Sequence, residues 1–155
     1  MKRISLETHG PLETIEFAQN FAKNLHGGEV LALHGDLGGG KTTFTKGLAE
    51  ALRVEENITS PTFVILKNYQ GKIQDPSTNS GQAKRIEFVH IDAYRSETIE
   101  DIKSVGIEDF LGRNDVVMVI EWAEKIKEIL PANVININFK FIDENTREIE
   151  YDSNN

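Results

Sequence analysis

A chain of 155 residues is long enough for one substantial core and short for two. Hydrophobic residues at 39% and charged ones at 27% are the mix of an ordinary soluble domain, and no stretch approaches the roughly 18–20 apolar residues of a membrane-spanning helix. The formal charge of −8, from 25 acids against 17 bases, argues against a protein that holds nucleic acid by itself, and the absence of cysteine removes disulfides and thiolate metal sites.

The opening MKRISLETHGPLE has two basic residues with no apolar run behind them, so it does not read as a secretory signal and a cytoplasmic protein is expected. Apolar residues at Ile15, Ala18, Ala22 and Leu25 recur at helical spacing. They predict a helix over 11–25 that starts at Pro11 and is closed by Gly27. EVLALHG is a short buried strand ending in glycine. Phe44, Leu48 and Leu52 then predict a helix over 42–53.

TFVILKNY and RIEFVHIDAY read as strands flanking a polar stretch, residues 70–85, whose single large apolar residue is Ile73; it is expected to be a long exposed loop. Thr98 and Asp101 stand in capping-box register, so a short helix is predicted over 98–105 with Gly106 as its stop. VVMVIEW is the uninterrupted apolar run of a strand buried on both faces. A helix over 123–130 is halted by Pro131, and VININFKF and REIEYD form a terminal hairpin. Strands alternating with helices predict an α/β protein with a mixed sheet, organised as a single layered domain over residues 1–155.

One stretch carries chemistry. Gly35-Asp36-Leu37-Gly38-Gly39-Gly40-Lys41-Thr42, followed by Thr43, satisfies the phosphate-loop pattern G-x-x-x-x-G-K-[ST]. Glycines let successive N–H groups turn inward on phosphate oxygens, and the helix that follows adds its N-terminal partial charge. Lys41 can reach the β- and γ-phosphates, and the Thr42 hydroxyl is an oxygen ligand suited to Mg²⁺. The motif lies between a predicted strand and a predicted helix, as its mechanism requires. Two acids at strand ends are candidates for handling the metal: Asp92, on one face with Phe88, His90 and Tyr94, and Glu121, after five apolar residues.

The four histidines show no metal-site spacing, and His34 and His90 are expected to be strand residues with satisfied hydrogen bonds. TSPTF, residues 59–63, is a turn or a phosphate-sensing segment. Trp122 is a core residue or a cover for the site. No N-K-x-D segment for guanine is present, which favours ATP. A small-metabolite kinase and an ATPase that drives a partner protein both remain open at this point. Arginines are few for a kinase lid, and Arg95 is the one expected to contribute near the loop.

The ordered set LHGDLGGGKTTFTKGL, SPTFVI, HIDAYR, VGIEDFL and IEWAEKI resembles the TsaE (YjeE) family of bacterial ATPases over nearly the whole chain. The resemblance implies a three-layer fold like that of P-loop NTPases, with a mixed, mainly parallel central sheet and added antiparallel hairpins. It also implies Mg²⁺-dependent ATP hydrolysis that sustains TsaB and TsaD as they transfer threonylcarbamoyl to adenosine 37 of ANN-reading tRNAs, the tRNA being held mainly by the partners. By the same resemblance Gly35 to Thr43 bind the nucleotide, with Lys41 on the phosphates and Thr42 on Mg²⁺. Glu121 is implied as the metal acid, Asp92 as the residue orienting water or a metal-bound water, and Trp122 as a neighbour of the nucleotide. Ser60 and Thr62 match the segment that senses the γ-phosphate. Gly39 departs from the family's usual alanine, and residues 70–85 exceed the short hairpin expected there.

Overall fold

The computed structural model describes residues 2–59, 65–75 and 77–153. Its centre is a seven-stranded sheet in the order β1-β7-β6-β2-β5-β4-β3. The strands are β1 (Lys2–His9), β2 (Val30–His34), β3 (Leu66–Gln74), β4 (Ala83–Asp92), β5 (Val116–Glu121), β6 (Ile135–Phe141) and β7 (Thr146–Ser153). The four central strands β6, β2, β5 and β4 are parallel to one another, and β1, β7 and β3 are added antiparallel. The expected mixed sheet, parallel at its centre, is therefore the one observed.

Strand periodicity sorts the central residues between two layers. Leu31, Leu33, Phe88, Val117 and Val119 face helices α1 (Pro11–Ala22) and α2 (Lys41–Ala51), where Ala18, Phe44 and Leu48 complete one core. Ala32, Val89, Ile91, Met118 and Ile120 face the other way, toward α3 (Ile99–Ser104) and the 3-10 turns that follow it. Burying a side chain such as Phe44 contributes about 1.5–3 kcal/mol. Helices α1 and α2 pack closely because Gly47 has no side chain: a Cβ there would lie 2.7 Å from Ala18 Cβ and 2.9 Å from the Ile15 carbonyl oxygen.

Two expectations need correction, and one strand was not foreseen. Residues 70–85 are strand at both ends rather than loop throughout, since β3 runs to Gln74 and β4 begins at Ala83. Tyr69 and Ile73 point inward while Gln70, Lys72 and Gln74 point to water, so one polar face concealed the period of two. The segment over 123–130 is not an α-helix but two 3-10 turns, Ala123–Ile129, broken at Ile126. Ala123 and Ile126, three apart, are both fully buried, which suits the three-residue period. Strand β1 was not expected; it is a largely exposed edge whose Leu6 packs partly on the core. The capping box of α3 is present in both directions, Thr98 and Asp101 each bonding the other's backbone N–H. Ser60 and Thr62 lie outside the described residues.

Candidate functional site

The C-terminal ends of β2, β4 and β5 converge. Parallel pairing sets Asp92 beside Glu121, and Glu121 in turn beside Leu33, the residue before the last of β2. Two-residue periodicity carries the inward face of Phe88 and Val119 on through His90 and Asp92 and through Glu121, so all three polar residues face the layer that contains α2. The glycine loop leaves β2 at this same edge and returns as α2. The turn out of β2 is crowded: Gly35 has φ +127°, and a Cβ there would lie 2.2 Å from the Phe139 carbonyl oxygen.

Glu121 is buried, and both of its oxygens are engaged. Thr42 Oγ1 donates to Oε1 at 2.9 Å, and His90 Nε2 lies 2.6 Å from Oε2. The hydroxyl of the phosphate-loop motif and the carboxylate ending β5 thus meet across the loop. Lys41 is also buried, and its ammonium donates to the carbonyls of Gly35 and Asp36. Burial holds the Lys41 pKa below the ordinary lysine value, opposed by the nearby charges of Glu121, Glu124, Asp36 and Asp92. Directly after Glu121 the chain enters the left-handed region at Trp122, φ 58°, uncommon for a bulky residue and typical of strained sites. That turn sets the indole 4.4 Å from Lys41 Nζ and packs it on Tyr94, ring centroids 5.0 Å apart. Lys125 fastens the same corner by donating to the carbonyls of Tyr94 and Ser96.

These groups line a cleft of ≈ 660 Å³. Leu37 to Thr43, Asp92, Glu121 and Trp122 all border it, as does Arg95. Gly35 and Asp36 do not border the cleft; they take part through the carbonyls that hold Lys41. The opposite wall is Gly10, Pro11 and Thr14 at the start of α1, with Glu144, Asn145 and Arg147 from the β6–β7 turn. Arg147 is the residue that sequence reasoning missed. Its Nε donates to the Gly38 carbonyl at 2.7 Å, so an arginine more than a hundred positions away braces the glycine loop. Only the antiparallel return of β7 brings it there, and no motif marks it. His34 is fully hydrogen-bonded, to Asn136 and Glu124, whereas His90 is not: its Nδ1 is buried without a partner.

The model of the family described as "Threonylcarbamoyl adenosine biosynthesis protein TsaE" matches residues 8–149. The chain belongs to the TsaE family. The TsaE protein of Bacillus subtilis is 36% identical over 151 residues, covering 97% of this chain and 86% of that protein. The TsaE protein of Aquifex aeolicus is 32% identical, covering 96% and 94%. The crystal structure of Bacillus subtilis YdiB superposes with a TM-score of 0.67 at 35% identity, over 97% of this chain and 84% of that one. Matches of that coverage extend the TsaE assignment over the sheet, the glycine loop and both strand-end acids together. Among the described residues, no helix is long and apolar enough to cross a membrane.

Proposed function

We propose that this TsaE-family chain binds ATP with Mg²⁺ and hydrolyses it in the cytoplasm to sustain turnover of a TsaB–TsaD complex that makes threonylcarbamoyladenosine in tRNA. The observation that carries the reading is the 2.9 Å contact between Thr42 Oγ1 and Glu121 Oε1. A hydroxyl that follows the phosphate-loop lysine, paired with a strand-end carboxylate, is a hard-oxygen donor set of the kind Mg²⁺ takes alongside phosphate oxygens and water. Asp92 stands one strand over in register and supplies a second carboxylate to the same cleft.

The roles follow from these positions. Backbone N–H groups of residues 38–43 and the start of α2 bind the phosphates. Lys41 leaves the carbonyls of Gly35 and Asp36 for the β- and γ-phosphate oxygens, a better acceptor for a desolvated ammonium. Thr42 and Glu121 would hold Mg²⁺, which would supply charge neutralisation at the phosphate oxygens. Asp92 orients the water whose oxygen attacks the γ-phosphorus while the bond to the bridging oxygen breaks, giving ADP and phosphate. Trp122 covers Lys41 and keeps bulk water from it.

A protein partner is supported by the surface. Among the described residues, the exposed hydrophobic side chains Leu37 and Tyr94 border the cleft, Leu12 follows the lining residue Pro11, and Phe141 packs on the lining residue Arg147. Leu37, within the glycine loop itself, is 68% exposed. Apolar side chains gathered at a site mouth fit a partner that closes over it. The charge of −8 leaves tRNA to that partner.

The test is equilibrium binding of ATP and of GTP with and without Mg²⁺. Tight binding of ATP that needs Lys41, and survives in Glu121→Ala at saturating Mg²⁺, is expected. Equal affinity for both nucleotides, or binding untouched by Lys41→Ala, would overturn the reading.

A further inference from the structure

His90 is the most deeply buried ionisable side chain that the proposed mechanism leaves without a task. It is 0% exposed, lies on β4 two residues before Asp92, and spends one ring nitrogen on Glu121 while the other has no partner. A polar ring in the middle of a sheet is costly, and an unpaired buried nitrogen adds to that cost. A leucine or phenylalanine would fill the same space in a layer made of Phe88, Val117 and Val119 without either cost. The bond to Glu121 is the one return visible for it.

Its geometry is specific. Glu121 ends β5 and is 3% exposed, with its carboxylate at the lip of the cleft. A carboxylate at a strand end has rotamer freedom, and the observed orientation brings Oε1 to Thr42. Two contacts from two elements define that orientation: Thr42 from the start of α2, and His90 from β4. Because a carboxylate accepts only, Nε2 must be the ring nitrogen that carries the proton, and Nδ1 then presents a lone pair to apolar neighbours. An unpaired lone pair is the less costly of the two possible orphans, since an orphaned N–H forfeits a stronger hydrogen bond to water.

We propose that His90 is a positioning residue for the metal acid: its Nε2–H fixes Glu121 Oε2 so that Oε1 stays turned to Thr42 and to the cation that accompanies the nucleotide phosphates. The inference rests on the Mg²⁺–nucleotide reading. Outer partners that orient a metal-handling side chain change metal affinity by about 10–100-fold when removed.

The experiment measures the Mg²⁺ concentration that gives half-maximal binding of a fluorescent ATP analogue, without hydrolysis, in wild type, His90→Gln, His90→Asn and His90→Phe. A glutamine amide nitrogen reaches about as far as imidazole Nε2, whereas asparagine stops near the Nδ1 position and phenylalanine offers no donor. The half-saturating Mg²⁺ concentration should rise about 10–100-fold in His90→Asn and His90→Phe. It should stay within a few-fold of wild type in His90→Gln, whatever the melting temperatures. A merely structural histidine would shift melting temperature and leave the Mg²⁺ requirement unchanged in all three variants, which would overturn the inference while leaving the ATPase reading intact. Nucleotide binding in wild type that ignores Mg²⁺ would overturn the metal reading and this inference together. A second measurement needs no variant: long-range proton–nitrogen NMR of the wild-type protein should find the His90 proton on Nε2, and a ring protonated on Nδ1 alone would refute the contact.

Discussion

Alanine at Gly35 and alanine at Gly38 are the same substitution in the same loop, and the structure separates them sharply. Gly35 has φ +127°, and its added Cβ would stand 2.2 Å from the Phe139 carbonyl oxygen, a backbone atom within β6 that cannot swing aside. Backbone strain of about 1–3 kcal/mol is joined by overpacking of about 1–3 kcal/mol, for a total of about 2–6 kcal/mol. That is a large part of the roughly 5–15 kcal/mol by which a domain is stable. Gly38 has φ +77° with nothing within 4 Å of its Cβ. It meets only the left-handed penalty of about 1–2 kcal/mol. Denaturant unfolding should place Gly35→Ala at least about 1 kcal/mol below Gly38→Ala, and ATP affinity should fall more than tenfold in the former because the loop must move off β6. Equal stability and equal affinity of the two variants would refute the crowded turn on which the loop's geometry rests.

Arg147→Ala should weaken ATP binding by up to about tenfold, the worth of one charged hydrogen bond at a partly exposed site. Arg147→Lys should not fully restore it, because one ammonium cannot reproduce both the Nε bond to the Gly38 carbonyl and the Nη1 bonds to the carbonyls of Asp143 and Thr146; titration calorimetry with each variant decides this. Trp122 is the sole tryptophan and lies 4.4 Å from Lys41 Nζ, so its fluorescence should change on ATP addition and should not change in Lys41→Ala. Asp101 is held below its ordinary pKa by the backbone N–H groups of Thr98 and Glu97. A carboxylate lowered in this way stabilises the fold above about pH 4 and loses that contribution as pH falls through its folded value. Asp101→Asn should therefore melt below wild type at neutral pH, with the gap narrowing in acid.

What the sequence made legible follows periodicity and motif. The apolar run of β5, the helix after the glycines and the capping box of α3 could be read because each depends on residues within a few positions of one another. The polar face of β3 hid its period, and the exposed edge strand β1 carried too little apolar signal to stand out. Lys41, Thr42, Asp92 and Glu121 could be named in advance because a phosphate loop and strand-end acids have a pattern; the structure brings them to one cleft. Arg147 and the His90–Glu121 contact could not be read, since each joins residues far apart through strand register that no local pattern encodes.

The measurement that tests the central proposal most directly is steady-state ATP hydrolysis by the purified protein, alone and with the TsaB–TsaD pair of the same organism. Slow hydrolysis alone, a marked rise with the pair, and loss of that rise in Glu121→Ala with ATP binding retained are the expected results. Hydrolysis indifferent to the pair, or undiminished in Glu121→Ala, would contradict the proposal and remove either the partner or the metal acid from it.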